Sequence, residues 1–171
     1  MRKGFIEIEN GINAGSIAKS VYVRKRLSLD GSVKRATAFM SALGIYRPFI
    51  DGNLIDSQPF LPGRTAYDKR VQYQEFDLTS YLQKGSEHII GAEIANGWYR
   101  KGTLPKNRRS KKPLVFFCRI VIEYTSGKTA EIYADESFKV SIFKCDSVEY
   151  GKDGKISKMV FIRQREVDVT K

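Results

Sequence analysis

Between Leu114 and Tyr124 the chain alternates without a break. Leu114, Phe116, Cys118, Ile120 and Ile122 fall on one side, and Val115, Phe117, Arg119, Val121 and Glu123 fall on the other. A period of two sends successive side chains to opposite faces of a strand, and so long a run in one phase leaves no room for a helical reading. The next residues, Tyr124-Thr125-Ser126-Gly127-Lys128-Thr129, form a turn into Ala130-Glu131-Ile132-Tyr133-Ala134, a hairpin with Gly127 where positive φ is needed. One long strand with its hairpin partner demands further strands to pair with and a second layer to cover its apolar face.

Those strands are readable. Ser20 to Leu29 alternates weakly, and Ala36 to Tyr46 reads as one strand with Ala36, Ala38, Met40 and Ala42 on a single face. Phe49-Ile50 and Leu54-Ile55 flank the turn Asp51-Gly52-Asn53, whose residues supply the left-handed conformations of a short hairpin. Val71 to Phe76 and His88 to Ala95 complete the clear strands. A helical turn is expected at Leu78 to Leu82, with the Asp77 carboxylate accepting from the amide of Thr79 or Ser80 and Gly85 ending the segment. No stretch carries a long amphipathic helix, so short strands with turns between them predict an all-β sandwich or barrel.

A chain of 171 residues is one domain's worth, and folding at that size removes roughly 70% of the unfolded surface from water. No apolar run reaches the roughly 20 residues needed to span a bilayer, and Ile6-Glu7-Ile8-Glu9 interrupts any signal-peptide core, so a cytoplasmic chain is expected unless a leader has been removed. Cys118 lies on the apolar face of its strand, where a thiol behaves as a small hydrophobe, and with Cys145 the only other cysteine, reduced thiols are expected.

The formal charge of +11 raises the question of an anionic partner. Its densest cluster, Arg100, Lys101, Lys106, Arg108, Arg109, Lys111 and Lys112, sits in a segment with Gly and Pro. Two readings stay open for it: a solvated loop, or an anion-binding site built on Arg108, Arg109, Lys111 and Lys112 through which a basic module docks nucleic acid or an acidic partner. The loop lacks interleaved aromatics and a recognition helix, which argues against nucleic acid.

From Ala42 to Gly102 a series of motifs follows in order: Ala42-Leu43-Gly44-Ile45-Tyr46, Leu61-Pro62-Gly63-Arg64-Thr65-Ala66-Tyr67, Lys69-Arg70-Val71-Gln72-Tyr73, Phe76-Asp77-Leu78-Thr79 and Asn96-Gly97-Trp98-Tyr99. Together they resemble the N-terminal β-sandwich domain of bacterial α-L-rhamnosidases, over about Val21 to Ser141. The resemblance implies a jelly-roll sandwich of the galactose-binding-like kind, with an N-terminal lead-in over 1–19, the sandwich over 20–145, and a linker plus an added strand or the start of a following domain over 146–171. It implies an accessory piece of a glycoside hydrolase whose neighbouring domains are its first partners. Catalysis in that family belongs to a helical barrel for which this chain has no room.

Residue chemistry agrees. A glycosidase needs two carboxyl groups roughly 5 to 9.5 Å apart, one with its pKa raised by burial. Here Asp51, Asp56, Asp68, Glu123, Asp135 and Glu136 lie in turns or beside Lys and Arg, and the only histidine, His88, reads as a surface or strand-end residue. No catalytic residue is therefore assigned.

For ligand contact the strongest segment is Asn96-Gly97-Trp98-Tyr99, because aromatic rings stack on the apolar face of a sugar while amide groups bond its hydroxyls. Trp98 has two readings, a plug closing one end of the sandwich or a ring offered to L-rhamnose or a rhamnoside. Tyr67 presents another aromatic face, although Arg64 stands where the family often carries a bulky aromatic. The family commonly has an acidic residue where this chain has Asn96, which weakens any cation-assisted contact. Were calcium to serve sugar binding here, Asn96, Trp98 and the turn at Asp51 would be the residues to test.

Overall fold

In a computed structural model the backbone is described for residues 3–8, 20–100, 113–150 and 156–167, with side chains for 3–8, 20–100 and 113–140. The described strands form two antiparallel sheets. In the first, β8 (Leu114–Tyr124) is flanked on one side by β3 (Val33–Leu43), which pairs in turn with β6 (Gln74–Asp77). The opposite edge of β8 is shared by two short strands, β1 (Phe5–Ile8) along residues 114–117 and β9 (Thr129–Tyr133) along residues 119–123.

The second sheet runs in the order β11 (Ile156–Val167), β10 (Lys139–Tyr150), β2 (Val21–Ser28), β7 (Glu87–Ala95), β4 (Ile45–Ile50) and β5 (Asn53–Leu54). β10 crosses residue 145 and continues to Tyr150, and β11 pairs with it on the outer side. Among the described residues no helix is long and apolar enough to cross a membrane. The one described helix, α1 (Thr79–Leu82), starts where the Asp77 carboxylate accepts from the Thr79 amide at 2.8 Å. Hydrogen bonding by the Thr79 side chain, and then by its amide, holds the Asp77 carboxyl below the usual carboxylate range.

The core lies between the sheets, where the inward rows of both meet. Ala36, Ala38, Met40 and Ala42 are buried as one face of β3, and Leu114, Phe116, Cys118, Ile120 and Ile122 as one face of β8. Burial pushes the Cys118 thiol up to about 12, so it stays protonated and packs as an apolar group.

One expectation is corrected. The run from Ala36 to Tyr46 is two strands in different sheets, β3 ending at Leu43 and β4 beginning at Ile45, with the chain crossing at Gly44. Gly44 has φ +141°, and a Cβ there would sit 2.5 Å from the Ala95 carbonyl oxygen, so only glycine fits the crossing.

At the β4–β5 hairpin, Phe49 pairs with Leu54 and Ile50 with Asn53, leaving Asp51 (φ +49°) and Gly52 (φ +78°) as a two-residue turn. Positive φ at both positions is the geometry that matches the twist of the strands it joins.

Candidate functional site

β7 carries a feature at each end. At its start the Asp51 carboxylate accepts from the Ile89 amide through Oδ1 at 2.7 Å and meets His88 Nδ1 through Oδ2 at 2.7 Å. His88 is buried, 5% exposed, and its Nε2 faces the Gly85 carbonyl at 3.4 Å. Of the two expectations for His88 the strand-end one holds and the surface one fails, for it stands second in β7 and is interior, holding the hairpin turn onto that strand.

Beyond Ala95 the chain turns at once, with the Arg100 amide reaching back to the Asn96 carbonyl at 3.4 Å. Gly97, at φ +48°, lies so close to Ile45 that a Cβ would come within 2.5 Å of its Cγ2. This turn faces Trp98 outward, 42% exposed, and Tyr99 inward against the core. The end-plug reading thus fails for Trp98, and it is Tyr99 that packs in that place.

A second loop, residues 55–73, comes up beside this turn and is fastened at several points. The Tyr46 amide donates to the Leu61 carbonyl at 2.7 Å, and Gln74 Nε2 donates to the Pro62 carbonyl at 3.2 Å. The buried Tyr46 hydroxyl lies 2.7 Å from Gln74 Oε1 and 3.0 Å from the Met40 carbonyl, so this one residue, through side chain and amide, links both sheets and the loop. Gly63 (φ +98°) closes a tight bend by donating to the Phe60 carbonyl at 2.9 Å, within a segment whose Leu61–Pro62 peptide is cis.

Where the two loops meet they bring four rings together. Phe60 and Trp98 have centroids 5.8 Å apart at 59°, and Tyr67 and Tyr99 meet edge to face at 5.3 Å. Such separations are those of favourable aromatic pairs. Desolvation raises the Tyr67 and Tyr99 phenols above their ordinary value, so both hydroxyls remain protonated donors. Asn96 Oδ1 accepts from Arg100 Nη1 at 3.4 Å, and desolvation lowers the pKa of that guanidinium.

Phe60 was not apparent from the sequence. It is 57% exposed and holds φ +65°, a conformation that costs a non-glycine residue about 1 to 3 kcal/mol. The one available signal was an aromatic residue placed directly before Leu61-Pro62-Gly63, a bend whose backbone is tightly specified.

Asn96, Trp98, Tyr99 and Tyr67 therefore come together, and Asp51 does not join them. From Ile89, which Asp51 touches, to Ala95 is a run of strand about 20 Å long at the usual rise per residue. Both oxygens of Asp51 are already engaged, and among the described residues no group of three or more His, Cys, Asp or Glu is placed to hold a metal ion. Among the described residues the aromatic end gathers no acidic set that fits calcium. Arg108, Arg109, Lys111 and Lys112 lie outside the described residues.

With sheets, crossing and loops in view, the chain can be set beside known proteins. A family model described as the alpha-L-rhamnosidase N-terminal domain matches residues 31–150. This chain belongs to that family. An alpha-L-rhamnosidase from Alteromonas sp. is 30% identical over 129 residues, covering 74% of this chain and 14% of that protein. This rhamnosidase N-terminal domain also superimposes on native alpha-L-rhamnosidase from Aspergillus terreus with a TM-score of 0.72 at 21% identity, covering 97% of this chain and 21% of that one. A lectin from Pleurotus ostreatus aligns with a TM-score of 0.52 at 14% identity, covering 97% of this chain and 41% of the lectin. At these identities the two structural likenesses establish the all-β sandwich fold alone. The domain spans about a seventh of the length of the rhamnosidase relative it matches in sequence.

Proposed function

We propose that this domain is a non-catalytic accessory unit of an α-L-rhamnosidase-like glycoside hydrolase, supporting the hydrolase architecturally and binding L-rhamnose or a rhamnoside weakly at the Phe60–Trp98 end. The observation that carries the binding half is a pair of exposed rings set on two fastened loops, one of them held in a strained backbone conformation. Strain of this kind collects at ligand clamps because the surroundings over-determine it. Weak binding follows from geometry: two rings at one open end cover little of a sugar, and small ligands gain affinity by being enclosed.

Support for the non-catalytic half comes from the carboxylates. Asp77, Glu131 and Asp135 are all shifted downward. Burial alone would raise the Asp135 carboxyl, but hydrogen bonds from Lys25 and Ser137 outweigh it. A glycosidase's general acid requires the opposite displacement.

The test is a calorimetric titration with L-rhamnose and with a rhamnoside, run with added calcium and with chelator, while Trp98 fluorescence is followed. Saturable heat with a matching change in fluorescence is expected, equal in calcium and in chelator. A flat titration up to millimolar sugar removes the binding half and leaves the architectural one.

A further inference from the structure

The first sheet has an outer face unlike that of a sheet exposed to water. In β8 the inward side chains are buried, as expected, yet none of the outward ones, Val115, Phe117, Arg119, Val121 and Glu123, is more than partly exposed. An antiparallel sheet solvated on one face alternates apolar in and polar out, whereas a strand apolar on both faces is normally covered on both. The register extends this face sideways: Phe117 stands between Phe5 and Ser41, and Arg119 between Tyr133 and Phe39.

These neighbours are in contact. Phe5 and Phe117 lie 4.7 Å apart, and Phe39 meets Tyr73, 61% exposed, edge to face at 5.9 Å. The Arg119 guanidinium sits 5.6 Å from the Phe39 ring and 6.0 Å from the Tyr133 ring, with Nη2 donating to Glu131 at 2.6 Å. Its Nε is buried with no acceptor among the described residues. A buried donor without a partner is costly.

We infer that this outer face, centred on Arg119 between Phe39 and Tyr133, is where another domain of the same polypeptide docks. The inference rests on the reading of this chain as one domain of a larger hydrolase. In the Alteromonas relative the matched segment is 14% of the protein, so a sandwich of this kind sits there among much more chain. Tyrosine, arginine and phenylalanine clustered within a charged rim, here Lys3, Glu75 and Glu123, are the composition of an interface centre.

A saccharide fits this face poorly, because stacking on a sugar needs a free ring face. Here cations take those positions: Lys3 Nζ lies 4.0 Å from the Tyr133 centroid and Arg119 covers Phe39. The docking surface is instead matched by apolar side chains over Phe117 and Tyr73.

The experiment is hydroxyl-radical footprinting of Phe39, Tyr73 and Tyr133, read by mass spectrometry, in this chain alone and in the full-length translation product of its gene. Labelling of the three rings is expected to fall several-fold in the longer protein. Equal labelling in a product that carries a catalytic domain overturns the inference and leaves the proposed function standing. A product without a catalytic domain overturns both. Protection already present in the isolated chain, with dimeric sedimentation, assigns the face to a second copy, and protection produced by a rhamnoside assigns it to sugar. Either result overturns the domain contact.

Discussion

The two ends of β7 are built from opposite materials. At one end Asp51 spends both carboxylate oxygens on Ile89 and His88, and every polar group in the cluster faces a protein partner. At the other end rings meet rings, and two of them, Phe60 and Trp98, remain exposed. A polar turn whose hydrogen bonds are satisfied internally has nothing left for a ligand, while an exposed aromatic pair held on fastened loops has an unused surface. A carboxylate in a loop is thus poor evidence for a site until its oxygens are accounted for.

The largest expected effect strikes the aromatic end. Gly44→Ala places a methyl group 2.5 Å from the Ala95 carbonyl at a positive φ, and unfolding in denaturant should show a loss of about 3 kcal/mol or more. A loss below about 1 kcal/mol would mean that the crossing between sheets is looser than described.

At the polar end, Asp51→Ala removes two hydrogen bonds and should cost about 2 kcal/mol in the same measurement. Its Trp98 fluorescence response to rhamnoside should stay unchanged, since the two ends are separated by the length of β7. A lost response would show that the two ends of β7 are coupled.

Phe60→Gly sharpens the contrast from the other side. Glycine adopts φ +65° freely, and the relief offsets the lost ring contact and the added freedom of the unfolded chain, leaving stability within about 1 kcal/mol. The rhamnoside response should nevertheless fall. Substantial destabilisation with binding intact would make Phe60 a structural ring.

The smallest effect concerns acid. The folded Asp135 carboxyl lies below its unfolded value, so its contribution is complete above about pH 4 and is lost as pH falls through the folded value. Because the Asp135 side chain is 54% exposed, the Lys25 pair is screened, and Asp135→Asn should flatten the acid limb of the stability profile by well under about 1 kcal/mol. An unchanged limb would show that Lys25 serves packing alone.

Much of the fold was legible because period-two alternation reports burial directly. Leu114 to Tyr124 is a strand over the full span read from its pattern, and the alanine face of β3 is buried as expected. The crossing at Gly44 was hidden for a physical reason. Ala36, Ala38, Met40, Ala42, Tyr46, Pro48 and Ile50 are all buried in one continuous phase, since the inner face of one sheet becomes the inner face of the other. Alternation tells which side faces the core and is silent about which sheet owns the strand. For the site, the Trp98–Tyr99 turn was readable from its ring chemistry, whereas the division of labour between the two rings depends on Gly97, whose approach to Ile45 is a tertiary fact. The burial of His88 was equally invisible, because its partner is contributed by another strand's turn.

The shared edge of β8 has a consequence for the order of assembly. β9 follows β8 through a tight hairpin and can zip on early, whereas β1 meets residues more than a hundred positions away, Phe5 opposite Phe117. Contacts so distant along the chain form late, because the entropy of closing the loop must be met first. Until the first strand arrives, residues 114–117 present unpaired amides and carbonyls beside apolar rings, a template that any passing chain can extend. Residues 5–8 thus act as a seal, closing during folding a stretch of β8 through which neighbouring molecules would otherwise aggregate.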